Sequence, residues 1–135
     1  LEMGKLSYIT GDYETSKKCL ENLNDSEAVE YLTADYIKLN ELNNAQKILA
    51  SKKIDKNRIL YKYYLYKIYK LKNNKKLNSI LKQKTISIQD YLDLAKINHF
   101  EGRIEARNKN LANANKKFNQ NPKIKFTIQE LQYKN

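Results

Sequence analysis

Apolar residues recur along this chain at steps of three and four, and short polar clusters interrupt them at near-regular distances, the pattern of successive amphipathic helices. In the opening segment, 1–24, Gly11 can take the positive φ that ends one helix, and Asp12 stands where it would cap the next. A second segment, 26–51, starts with Asp25-Ser26 as cap, carries Val29, Leu32, Tyr36 and Leu39 on one face, and resumes after a turn with Leu42, Ala45 and Leu49. The third, 56–83, has one stripe of Tyr61, Tyr64, Leu65, Ile68 and Leu71, a polar turn at Lys72-Asn73-Asn74, and a second stripe of Leu77, Ile80 and Leu81. The fourth, 87–121, runs through Tyr91, Leu94, Ala95 and Asn98 to Glu101-Gly102-Arg103, continues with Ile104, Leu111, Ala114 and Phe118, and breaks at Asn121-Pro122. The tail, 123–135, places Ile124, Phe126 and Ile128 in alternation before Leu131, which suits a capping helix, the first helix of another pair, or a short strand.

Composition agrees with helices. Three Gly and one Pro leave few breakers, whereas an all-β chain would need more turn residues. A chain of 135 residues with 41 % hydrophobic content can build one domain with a core and is too apolar for disorder. No run reaches the roughly 18 apolar residues of a membrane span. The longest apolar stretch, 59–71, is cut by Lys62, Lys67 and Lys70. The chain opens on Leu1-Glu2-Met3-Gly4 inside a helical pattern, so it reads as a piece of a longer protein whose targeting segment would be missing here; a soluble protein is expected, with cytoplasm and periplasm both open.

The first segment resembles a tetratricopeptide repeat (TPR) that lacks its first few residues. Gly4 takes that motif's small position in the first helix, and Gly11-Asp12-Tyr13 matches its turn. Ser16 is the small residue where the two helices cross, and Leu20 the large one that fills the space beyond. Ala45 repeats the small crossing residue in the second segment. Gly102 and Pro122 stand where the motif would put them in the fourth. Leu77 and Arg107 depart from it, being large at crossing positions. The resemblance extends over about 1–122 and implies an all-α, right-handed superhelical stack of about four antiparallel helix pairs, an α-solenoid.

The formal net charge of +11 is concentrated. Residues 52–84 hold twelve basic side chains against Asp55 alone, while residues 1–51 hold nine acidic against five basic. Only Arg58, Arg103 and Arg107 are arginine. Asn, Ile, Tyr and Lys are all abundant and share AT-rich codons, so part of the charge is compositional; a bacterial source is the expectation.

Catalysis finds little to work with. One His, His99, and one Cys, Cys19, lie far apart, and neither has the companions of a metal site or a nucleophile–base pair. Cys19, beside Leu20 and Leu23, reads as a buried structural thiol. Gly4, Gly11 and Gly102 are isolated and form no phosphate loop. The pairs Asp90/Asp93 and Glu101/Glu105 suit solvated faces or helix N-termini better than acid–base work. The chain therefore reads as non-enzymatic and without a cofactor.

In the TPR family the first helices of successive pairs line a concave groove that holds a partner peptide or helix. The resemblance assigns to that groove Lys5 and Tyr8; Glu30, Ala34, Ile37 and Lys38; Lys62, Tyr66, Tyr69 and Lys70; and Lys96 and His99. Lys favours an acidic partner segment, and Tyr offers amphipathic contact area. The Lys/Asn set that clamps a terminal carboxylate in chaperone-binding members is not present. The expected function is a protein–protein interaction module, a scaffold or adaptor. Nucleic-acid binding by the Lys/Tyr-rich region 52–84 is the alternative, and docking on an anionic membrane surface a further one. Tyr61, Tyr64, Tyr36 and Tyr91 fit core positions. Tyr63, Tyr66 and Tyr69 cannot all share that face, which leaves ligand contact and inter-repeat packing both open for them.

Overall fold

A computed structural model of the chain describes residues 1–51, 53–69, 74–82, 85, 87–119 and 121–132, with the backbone alone at 74, 76 and 77. Among these residues the fold is all-helical and has no strand. The helices are α1 (Glu2–Ile9), α2 (Tyr13–Leu20), α3 (Ser26–Lys38), α4 (Leu42–Leu49), α5 (Ile59–Ile68), α6 (Asn74–Leu81), α7 (Ile88–Phe100), α8 (Ile104–Lys117) and α9 (Pro122–Leu131). The tail segment, where a strand was open, is helical: Asn121 caps α9 through Lys123 N–H, and Pro122 stands in its first turn, where the missing N–H costs nothing. The turn expected at 72–74 and Leu71 lie wholly or partly outside the described residues, as does the Leu77 side chain.

The chain divides into two compact units. Unit 1 comprises 1–57 and 64–72, and unit 2 comprises 58–63 and 73–135, so α5 gives its first half to unit 2 and its second to unit 1. In unit 1, α1 packs on α2 and α3, α2 on α3, and α3 on α4; in unit 2, α7, α8 and α9 pack on one another.

The helix starts follow ordinary capping chemistry. Asp12 accepts from Thr15 N–H and Asp25 from Ala28 N–H, while Ser87 and Asp90 form a reciprocal capping box on α7. The helix ends are more informative. α1, α3 and α7 each close with the same pair of backbone bonds, from Gly11 N–H to Tyr8 and Asp12 N–H to Ser7; from Asn40 to Ile37 and Glu41 to Tyr36; and from Gly102 to His99 and Arg103 to Asn98. This is the Schellman motif, which requires a left-handed residue after the C-cap. Gly11, Asn40 and Gly102 supply it at φ of 93°, 60° and 75°. In each case the next residue is already the N-cap of the following helix.

Counted from that left-handed residue, the three turns share one packing register. Five residues on come Ser16, Ala45 and Arg107, all fully buried; nine on come Leu20, Leu49 and Leu111, all in the core. Seven residues back stand Gly4, Thr33 and Ala95, also buried. At Gly4 the need for a small residue is steric: a Cβ there would meet Leu20 Cδ2 at 2.5 Å and Cγ at 2.7 Å. Arg107 departs from the small-residue rule, yet it has no exposed surface.

α5 differs from the stripe expected for it. Ile59, Leu60, Tyr63, Tyr64, Tyr66 and Ile68 are buried, whereas Tyr61 and Leu65 are half-buried. The helix is apolar around most of its circumference, so periodicity does not single out one inward face. Tyr63 donates to Glu101 at 2.6 Å in unit 2, and Tyr64 donates to the Glu30 carbonyl at 2.9 Å in unit 1. Tyr36 and Tyr91, expected in the core, are half-buried.

Candidate functional site

In unit 1 the residues assigned to a groove divide by depth. Lys5 is 3 % exposed; its ammonium meets Glu27 at 2.6 Å and Glu2 at 3.6 Å and lies 5.9 Å from the centre of the Tyr31 ring. Tyr8 is buried, with its ring 5.3 Å from Tyr31 and 5.8 Å from Tyr13 between centroids. Lys38 is exposed, with its ammonium 5.8 Å from the Tyr13 ring centre. The fold thus brings Lys5, Tyr8 and Lys38 together around Tyr13 and Tyr31, two residues not assigned to the groove. Glu30 and Ala34 are buried and Ile37 is half-buried. Tyr66 is buried, while Tyr69 is 56 % exposed and accepts a hydrogen bond from Gln46 at 3.3 Å. Lys70 lies outside the described residues.

In unit 2, Lys62 is exposed and Lys96 half-buried. His99 is half-buried, and its Nδ1 stands 2.8 Å from an Arg107 guanidinium nitrogen. A guanidinium only donates, so this contact requires His99 Nδ1 to accept, which is the neutral ring with its proton on Nε2. Burial lowers the Arg107 pKa. The Arg107 Nε donates to Asn108, whose Oδ1 also accepts from Gln132, and Asn98 donates to Asn110.

Three members of the acidic pairs, Asp90, Asp93 and Glu101, make structural hydrogen bonds. Asp93, 1 % exposed, accepts from Arg58 at 2.7 Å and 3.3 Å, from Gln89 at 2.8 Å and from Leu60 N–H at 3.2 Å. It is therefore not on a solvated face: one α7 carboxylate holds an arginine in a fork and satisfies a first-turn amide of α5. Its partner Arg58 lies 35 positions away, a separation no local motif reveals. Cys19 is half-buried and free, shallower than a core thiol.

Compared with family models, with curated proteins and with solved structures, the chain matches none. Among the described residues no group of three or more His, Cys, Asp or Glu side chains could hold a metal ion, and no helix is long and apolar enough to cross a membrane.

Sequence pattern alone missed one further pair. Asp35 on α3 has no exposed surface, and one carboxyl oxygen takes a 2.5 Å hydrogen bond from Ser16 on α2. The other oxygen has no hydrogen-bond partner among the described residues. Burial pushes the carboxyl up to about 7, against the pull of the Ser16 bond and of the Lys17 charge.

Proposed function

We propose that the chain is a protein–protein interaction module, a TPR-like stack of antiparallel helix pairs with right-handed superhelical twist, serving as a non-enzymatic scaffold or adaptor. The observation that carries this reading is the thrice-repeated turn: a Schellman motif whose second residue caps the next helix, followed by one residue buried at the crossing and a core leucine beyond it. Repetition of one supersecondary unit at fixed register is what a solenoid is built from, and solenoids offer extended surfaces to partners.

The partner-facing chemistry is Lys and Tyr. In unit 1, exposed Lys38 and Tyr69 supply a cation and an amphipathic ring, and in unit 2 exposed Lys62 and half-buried Lys96 supply cations. These favour an acidic segment as partner. Lys5, Tyr8, Glu30 and Tyr66 lie beneath that surface and shape it through packing.

The test is affinity capture with the whole chain and with a Lys38→Glu, Tyr69→Ala variant of equal helicity by circular dichroism. A protein partner that survives nuclease treatment, weakens with salt and is lost with the variant is the expected result. Capture of nucleic acid alone, falling steeply with salt, would replace this reading with the basic region 52–84.

A further inference from the structure

The α2–α3 crossing in unit 1 joins a carboxyl to a hydroxyl, Asp35 to Ser16; Ala45 fills the crossing position equivalent to Ser16 at the next turn, so the hydroxyl is not what the packing requires. Five residues before the left-handed turn residue, Asp35 shares its register with Leu6 of α1 and Ile97 of α7. Ile97, like Asp35, has no exposed surface, so an aliphatic side chain fills this position in unit 2. An ionised carboxylate held dry with one hydrogen bond and one empty oxygen is far costlier than its neutral acid.

We propose that buried Asp35 is a proton-operated latch at the α2–α3 crossing: the protonated carboxyl is kept dry there, and on loss of the proton the cost of burying the charge outweighs the Ser16 hydrogen bond and loosens the crossing.

The charged and titratable surroundings do not offer Asp35 a full counter-ion. From α2, Lys17 is the cation that reaches it, but the Lys17 ammonium already meets Glu41, the α4 N-cap, at 3.0 Å and Glu14 at 3.3 Å. Its pKa is raised, first by the Glu41 hydrogen bond. Tyr13 on α2 is also pushed up, by burial first and then by the Asp35 charge. Tyr36, next to Asp35 on α3, is pushed up by burial and then by Glu21, Glu41 and Asp35. On α1 the inward titratable groups are Lys5 and Tyr8; Lys5 is engaged by Glu27, eight positions before Asp35 and so about two turns away. Glu30 is the other buried acid of α3.

Burial pushes the Asp35 carboxyl up to about 7 in the folded chain, against 3.8 for an ordinary carboxyl. The latch contribution is thus complete below the ordinary value, declines as pH rises towards about 7, and is gone above it. The device adds pH control in the neutral range to unit 1 and does not depend on the identity of any partner.

The experiment pairs a carbon-13 titration of the Asp35 carboxyl in the whole chain with thermal unfolding of the whole chain and of Asp35→Asn between about pH 5 and about pH 8. The expected result is an Asp35 midpoint near neutrality and a melting temperature that falls by roughly 5–10 °C over this range, with the fall largely absent in Asp35→Asn. The difference between the two chains separates this effect from His99, which both retain. An Asp35 midpoint in the ordinary carboxylate range overturns the proposal, and so does an equal fall in both chains. Should Asp35→Asn fail to fold, Ser16→Ala replaces it: removing the bond that favours the charged form must raise the Asp35 midpoint, and an unmoved midpoint overturns the latch.

Discussion

Unit 1 and unit 2 use the same turn and then fill the crossing behind it with opposite chemistry. In unit 1 the crossing residues are Ser16 and Ala45, and the polar element is an acid, Asp35, that burial biases towards its neutral form. In unit 2 the crossing residue is Arg107, a side chain that stays charged when buried and turns towards a neutral His99. The same backbone device thus accommodates different side chains behind it, provided the volume is filled. Small residues at the crossing are one solution, and a long side chain with its own acceptors is another. The same contrast applies to function. In unit 1 most of the Lys and Tyr residues assigned to the groove are consumed by packing, with Lys38 and Tyr69 left at the surface, while in unit 2 Lys62 stands outside.

If the registers are equivalent, equal damage should follow equal substitutions. Leu20→Ala and Leu111→Ala each remove a fully buried leucine at the same position and should each lose about 3 kcal/mol in denaturant unfolding. A neutral result in one unit alone would break the equivalence. Asp93→Asn tests the Arg58–Asp93 fork of unit 2 and should lose about 2 kcal/mol, because the charge-assisted bonds to Arg58 go with the charge.

Smaller effects sharpen the picture. Gly4→Ala gains helix propensity yet drives a methyl into Leu20, and the net result should be a loss of about 1–2 kcal/mol by thermal unfolding. Gly11→Ala, Asn40→Ala and Gly102→Ala place an ordinary residue at positive φ, and each should lose about 1 kcal/mol. Open space around Gly11 and Gly102 means that the loss there comes from the backbone alone.

The helical segments and several of their punctuation marks were legible in the chain itself. Asp12 and Asp25 are strong caps, and Gly11 and Gly102 are the residues that most readily end a helix left-handed. Asn40 does the same work but carries a weaker signal, since asparagine is common in this chain and only some copies adopt this conformation. The buried polar residues were not legible. Lys5 and Glu30 look like surface residues until Glu27, Tyr31 and Tyr64 close over them, and those partners come from elsewhere in the fold. Arg107 is visibly too large for its position in the sequence, but its route to His99 and Asn108 depends on how α8 lies against α7. In α5 the inward face moved from Tyr61 to Tyr63, because a nearly all-apolar helix offers several stripes of equal merit.

Residue-resolved amide hydrogen exchange tests the repeated turn most directly. The N–H groups of Asp12, Glu41 and Arg103 each close a Schellman bond to the carbonyl five residues earlier, although each lies outside the helix it terminates. The account predicts that all three are protected together with the helices they follow. Rapid exchange at Glu41 or Arg103 beside a protected Asp12 would contradict it, leaving one such turn in place of a repeated unit.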